Sequence, residues 1–258
     1  MFISTQELEK IYKDDSVLVV DARSYKDYSK GHIPGAVNLD LFSFHWADTS
    51  QKGLTSFGEH MRKILSYAGI DENKKIIFYD DVTGMLAARG VWMCLYFSHP
   101  DVQMLDGGLS KWTGENLPSQ TESTIYKPSN LTTPIDPSII IGFEELNASI
   151  GKVTIIDARS PDEYDGTTPR AARGGHIPTS KNIDWNENLD DSGKLKSDDE
   201  LESLYQMDRE TEIVTYCQGA YRAANSYLSL KKIGFKNVKV YLGSWGEWGN
   251  DLNLPIEK

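Results

Sequence analysis

The chain repeats itself once, and the repeat sets what it can fold into. Val17-Leu18-Val19-Val20-Asp21-Ala22-Arg23-Ser24 returns as Val153-Thr154-Ile155-Ile156-Asp157-Ala158-Arg159-Ser160, and Gly31-His32-Ile33-Pro34 returns as Gly175-His176-Ile177-Pro178. Ile76-Ile77-Phe78-Tyr79-Asp80 lies opposite Ile213-Val214-Thr215-Tyr216-Cys217, and Lys111-Trp112 opposite Glu247-Trp248, at a separation near 136 residues. Each copy is long enough to bury its own core, so the pattern predicts two homologous domains, 1–117 and 138–258. Between them, 118–137 is polar and carries Pro118, Pro128, Pro134 and Pro137 without amphipathic spacing, as an extended surface linker does.

Within each copy, β-branched runs (17–20, 76–79 and 102–105; then 153–156, 213–216 and 238–241) alternate with helical patterns at 58–68, 84–97 and 222–233. Such alternation predicts an α/β fold, each domain a parallel sheet with helices on both faces. Ligands of these folds sit beyond the carboxyl ends of the strands.

Cys217 falls at that place. It follows the apolar run Ile213 to Tyr216 and precedes a helical pattern in which Ala224, Tyr227, Leu228 and Leu230 share a face. A helix start offers unpaired N–H groups and the positive end of its dipole, both of which favour an anion. Arg222 adds a fixed positive charge, while Gly219 and Ala220 keep the loop small enough for its amides to turn inward. Most unpaired cysteines are inert core residues, and Cys94, inside the apolar run Gly90 to Phe97, is read that way. Cys217 is read as a nucleophilic thiolate.

The remaining composition excludes more than it selects. A net charge of −11 argues against nucleic acid or an anionic membrane surface as partner. No stretch approaches the ~20 apolar residues that span a bilayer, and no basic-then-apolar leader opens the sequence, so the expected location is the cytoplasm. Two cysteines make no disulfide framework, and no zinc-type Cys/His spacing occurs.

The loop Cys217-Gln218-Gly219-Ala220-Tyr221-Arg222, with Gly31-His32-Ile33-Pro34-Gly35 and Asp157-Ala158-Arg159-Ser160, resembles the two-domain rhodaneses, the thiosulfate sulfurtransferases, over nearly the whole chain. The resemblance implies two tandem rhodanese-like domains and ping-pong transfer of sulfane sulfur through a persulfide on Cys217, with no metal or organic cofactor. A small anionic donor, thiosulfate, and a thiophilic acceptor, cyanide or a dithiol, would be the partners. Related mercaptopyruvate sulfurtransferases carry a loop hydroxyl where this chain has Gly219, and Arg222 suits a tetrahedral oxyanion donor; both points favour thiosulfate over 3-mercaptopyruvate. Gln218 stands where some thiosulfate enzymes place a basic residue. Rhodanese-like phosphatases have a cysteine-to-arginine loop one residue longer. A persulfide carrier without small-molecule turnover is the non-enzymatic alternative.

Differences between the copies sharpen the site. The first copy has Asp80 in place of Cys217 and cannot run the same chemistry. It is expected to supply walls instead, with Phe42-Ser43-Phe44-His45-Trp46 an aromatic contributor. The second copy inserts Gly166 to Gly174, which brings Arg170 and Arg173 into an acidic chain as local anion-binding charge; the resemblance places donor-contacting arginines in this region. Loop residues Gln218, Gly219, Ala220 and Tyr221 are expected around the donor, with Tyr221 shielding the persulfide. The duplicated pairs Asp21/Arg23 and Asp157/Arg159, and the histidines His32 and His176, occur in both copies and are read as structural, as are Trp112 and Trp248.

Overall fold

The computed structural model of the protein describes residues Met1 to Lys258. It divides into two compact units. One comprises Met1–Phe44, Gly58–Asp136 and Leu189–Leu195; the other comprises His45–Phe57, Pro137–Asn188 and Lys196–Lys258.

The first unit holds a five-stranded sheet of β1 (Phe2–Ile3), β2 (Val17–Asp21), β3 (Val37–Asn38), β4 (Lys75–Tyr79) and β5 (Val102–Leu105), ordered β1-β5-β4-β2-β3 with every pairing parallel. The second repeats it with β6 (Ile140–Ile141), β7 (Thr154–Asp157), β8 (Lys181–Asn182), β9 (Ile213–Tyr216) and β10 (Val238–Tyr241), ordered β6-β10-β9-β7-β8. All positions of β2 and of β9 are buried. A parallel strand covered by helices on both faces has no solvent side, which is why these segments are apolar but for Asp21 and Thr215.

Helices Met85–Tyr96 and Tyr221–Lys232 fall within a residue of the sequence pattern. The helix expected at 58–68 starts earlier and covers Gln51–Tyr67. Its first turn is capped by Ser50, whose hydroxyl accepts from the Gly53 N–H at 3.1 Å, and glycines at 53 and 58 blur the apolar period there. No helix is long and apolar enough to cross a membrane. Between Glu122 and Asp136 the chain has almost no regular structure and is pinned by its backbone groups: Arg62 donates to the carbonyls of Leu131 (3.0 Å) and Thr133 (2.7 Å), and Ser129 N–H to that of Ser66 (2.8 Å).

The duplicated polar residues hold the same turn in both units. Arg159 grips the Asp157 carboxylate and donates to the Gly175 carbonyl at 2.8 Å; Arg23 does the same with Asp21 and Gly31. Both pairs are almost fully buried, where breaking one partner costs about 3–5 kcal/mol. His32 and His176 stack on Tyr28 and Tyr164, each at 3.7 Å between ring centroids, with Nδ1 on the tyrosine's carbonyl. Trp112 and Trp248 are fully buried and donate to Pro118 and Pro255 carbonyls.

Candidate active site

β9 ends at Tyr216, and the next residue, Cys217, is 1% exposed. The chain turns at Ala220, whose φ of 66° and ψ of 15° are left-handed, and enters the helix at Tyr221. Holding alanine there costs about 1–2 kcal/mol, so something must fix the turn. Ser244 does so. Its Oγ accepts from the N–H groups of both Cys217 (3.2 Å) and Ala220 (3.0 Å), while its own proton goes to the Tyr241 carbonyl (2.9 Å). The following amides complete the clamp, with Trp245 N–H on the Cys217 carbonyl (2.8 Å) and Gly246 N–H on that of Gln218 (2.9 Å).

Ser244 itself sits at φ +53°, a conformation that suits glycine. The first unit has Gly108 at the matching place, at φ +56°, with Leu109 and Ser110 donating to Asp80 and Asp81 carbonyls in the same pattern. A strained serine therefore replaces a relaxed glycine only in the copy that carries the cysteine, and its hydroxyl is what the strain secures.

Charge at the site runs through four side chains. Arg222 presents its fork to Glu163, with Nη1–Oε2 at 2.5 Å and Nη2–Oε1 at 3.0 Å. Burial opposes the guanidinium charge, but Glu163 and the neighbouring Cys217 sulfur outweigh it and hold Arg222 above its ordinary value. Burial likewise works against the Glu163 carboxylate, yet its bonds to Arg222, the amide of Ser160 and the charge of Arg170 bring it down to about 2. Arg170 lies 3.5 Å from Glu163 Oε1 with half its side chain in solvent, and its carbonyl accepts from Gln218 Nε2 at 3.1 Å.

Arg173 takes a different role from the one its sequence neighbourhood implied. Its guanidinium donates to the carbonyls of Trp248, Gly249, Asp251 and Leu254, which commits it to the segment after the last helix. Carbonyl acceptors draw the Arg173 guanidinium inward, whereas Arg170 keeps half its side chain in solvent.

The segment His45–Phe57 packs in this unit through Thr49. Its N–H and hydroxyl donate to the two Glu247 oxygens at 2.7 and 2.5 Å, and its Oγ1 accepts from Phe143 N–H at 2.9 Å. Held in this way, the His45 ring lies directly over Gly219: a Cβ at 219 would fall 1.8 Å from His45 Cε1. The same ring stands parallel to Tyr221, 6.2 Å between centroids at 10°. Any side chain at position 219 has to displace the imidazole.

Asp80 shows what this kind of cradle does with an anion. Its Oδ1 accepts from Gly84 N–H (3.1 Å) and its Oδ2 from Leu86 (3.0 Å) and Ala87 (3.1 Å), at the start of the helix Met85–Tyr96. Burial nevertheless dominates and pushes the carboxyl up to about 6. Three amides offset only part of the cost of burying the charge. The first unit has Leu86 as the second residue of its helix, where the second has Arg222.

The fold thus brings Cys217, Gln218, Gly219, Ala220, Tyr221 and Arg222 together, adds Arg170 at the edge, and draws Arg173 away. Glu163 and Ser244 join them without having stood out as site residues in the sequence, and His45 joins them from the aromatic stretch Phe42–Trp46. Comparison of copies held a signal for two of them: Asp27 stands opposite Glu163, bonded to Lys30 instead of an arginine, and Gly108 stands opposite Ser244. Cys94, fully buried, is pushed well above the ordinary thiol range by burial alone.

The family model of the rhodanese-like domain matches this chain twice, over residues 4–115 and 143–251. The sulfur carrier protein TtuD of Thermus thermophilus is 32% identical over 100% of this chain and 96% of its own length. The thiosulfate sulfurtransferase of Azotobacter vinelandii is 30% identical over 100% of this chain and 97% of its own. Among solved structures, SseA from Escherichia coli, described as a 3-mercaptopyruvate sulfotransferase, shares 26% identity at a TM-score of 0.80, covering 95% of this chain and 98% of that one.

Proposed function

The chain belongs to the rhodanese family and is a sulfurtransferase, and on that premise we propose that it takes sulfane sulfur from thiosulfate onto Cys217. The observation that carries this reading is the placement of Cys217 at a strand-to-helix turn beside Arg222.

The Cys217 thiolate attacks the outer sulfur of thiosulfate; the donor's S–S bond breaks and its electron pair leaves with sulfite. The new Sγ–S bond is a persulfide, whose terminal charge meets the helix N-terminus and the loop amides that Ser244 does not occupy. Cyanide carbon or a thiolate then attacks the outer sulfur, the Sγ–S bond breaks, and the Cys217 thiolate is restored. Burial of the sulfur strengthens each of these charge interactions. Arg170, exposed and only loosely paired, meets the sulfonate oxygens of the donor. Arg222 serves the sulfur itself, because its fork is already filled by Glu163.

Thiosulfate is favoured over 3-mercaptopyruvate because Gly219 supplies no hydroxyl and the overlying His45 ring leaves no space for one. The likeness to TtuD supports a second reading in which the persulfide passes to a protein acceptor.

The test is thiocyanate formation from cyanide with either donor, in wild type and Cys217→Ala. Thiosulfate-dependent turnover that disappears with the thiol supports the main reading. A preference for 3-mercaptopyruvate overturns the choice of donor, and persulfide formation without turnover leaves the carrier.

A further inference from the structure

We propose that Glu163 is a positioning residue for the reaction: it locks the Arg222 fork against the Cys217 sulfur and lends Arg170 a partner that the donor displaces. This rests on Cys217 being the nucleophile. Glu163 is an unusual residue for an anion site, since a buried carboxylate beside a thiolate repels it. Its side chain is 7% exposed, as buried as any residue of the cluster that carries charge in solution. The groups facing it are Arg222, Arg170 and the Ser160 amide and hydroxyl; Arg222 also faces the Cys217 sulfur, while Ser244 holds the Cys217 amide and the His45 ring lies over Gly219.

The two copies separate a capping role from a reactive one. Ser160 and Glu163 form a capping box around the short helix Pro161–Tyr164, and Ser24 with Asp27 begins the matching helix in the first unit. Capping alone is met there by a shorter acid, whose side chain is nearly half exposed and paired with Lys30. Only in the copy with a cysteine is the acid longer, buried and joined to an arginine, where the first copy has Leu86 at the same helix position. The pair Glu163–Arg222 therefore accompanies the thiol, not the helix.

Its geometry divides labour between two cations. Two N–H groups of Arg222 go to the two Glu163 oxygens, which fixes the guanidinium plane and leaves it unable to swing out to a donor. Arg170 touches the same carboxylate at 3.5 Å and is half exposed, so an arriving sulfonate can take it over.

Three variants test this, read by ultraviolet thiolate titration of Cys217 from about pH 4 to about pH 10 against a Cys217→Ser blank. Glu163→Ala frees Arg222 to relax toward solvent, and the thiolate midpoint moves up by about one pH unit. Glu163→Gln removes the opposing charge but keeps an acceptor for the fork, and the midpoint moves down; Glu163→Asp lies nearer wild type. An unchanged or lowered midpoint in Glu163→Ala overturns the proposal, leaving Glu163 as a cap or as a simple opposing charge. If Glu163→Ala does not fold, Arg222→Lys keeps the charge and loses the fork: an upward midpoint supports the proposal and an unchanged one overturns it. Because the titration needs no turnover, a wild type that transfers no sulfur shows failure of the functional reading separately.

Discussion

Replacing Asp80 by asparagine measures how much a buried anion costs in this kind of cradle. Burial raises the carboxyl from its ordinary 3.8 to about 6 although three amides donate to it. A carboxyl that holds its proton more tightly folded than unfolded favours the fold most while protonated. Its contribution is complete below about pH 4 and is lost as the pH rises through about 6, and the displacement corresponds to about 3 kcal/mol. The amide of the variant has no proton to lose, so this portion of the pH dependence vanishes. Its NH2 group also faces backbone donors, lowering stability by about 1–3 kcal/mol at every pH. Urea unfolding at intervals from about pH 4 to about pH 8 gives both curves. Wild type should fall relative to Asp80→Asn by about 3 kcal/mol across the window. Parallel curves would refute the reasoning and mean that the amides alone suffice to hold a buried charge.

Gly219→Ala should push the His45 ring aside by more than an ångström, since the new methyl overlaps Cε1. The ring is exposed, so thermal stability should change by under about 1 kcal/mol while sulfite release slows; a fully active variant would show that His45 placement is immaterial. Arg173→Ala removes donors from four carbonyls and should destabilise the protein by about 2–4 kcal/mol. The KM for thiosulfate should rise instead in Arg170→Ala; the reverse assignment of effects would return Arg173 to the donor. Iodoacetamide on native protein near pH 8 should alkylate Cys217 and spare Cys94, whose thiol burial keeps protonated, as peptide mass mapping would show.

The sheet was legible in the sequence because its central strands are apolar on both faces and recur at a constant separation. The edge strands β1, β3, β6 and β8 were not, because two residues carry no period. The cysteine loop could be read from residue types, since a helix start, a small loop and an arginine act over a few neighbouring positions. Glu163 could not: Ser160-Pro161-Asp162-Glu163 reads as an ordinary capping box, and nothing local says that its acid turns toward an arginine 59 residues away. Arg170 and Arg173, three residues apart, looked alike because a sequence does not distinguish an arginine facing solvent from one drawn in by carbonyls. Ser244 was hidden by its backbone angle, which only the comparison with Gly108 exposes.

The two units do not follow the repeat boundary, and this bears on what a severed half of the chain can be. His45–Phe57, encoded in the first copy, belongs to the unit with Cys217, and Leu189–Leu195, encoded in the second, belongs to the unit with Asp80. The latter is secured by Thr83 N–H on the Gly193 carbonyl (2.8 Å) and Leu195 N–H on the Asp106 carboxylate (2.9 Å). A fragment cut in the linker and carrying Cys217 would keep its strands, its loop and Arg222. It would lack the imidazole over Gly219 and leave Glu247 without Thr49. The duplicated gene segments have become interdependent parts, each lending the other a piece, so the smallest heritable repeat is no longer the smallest complete domain.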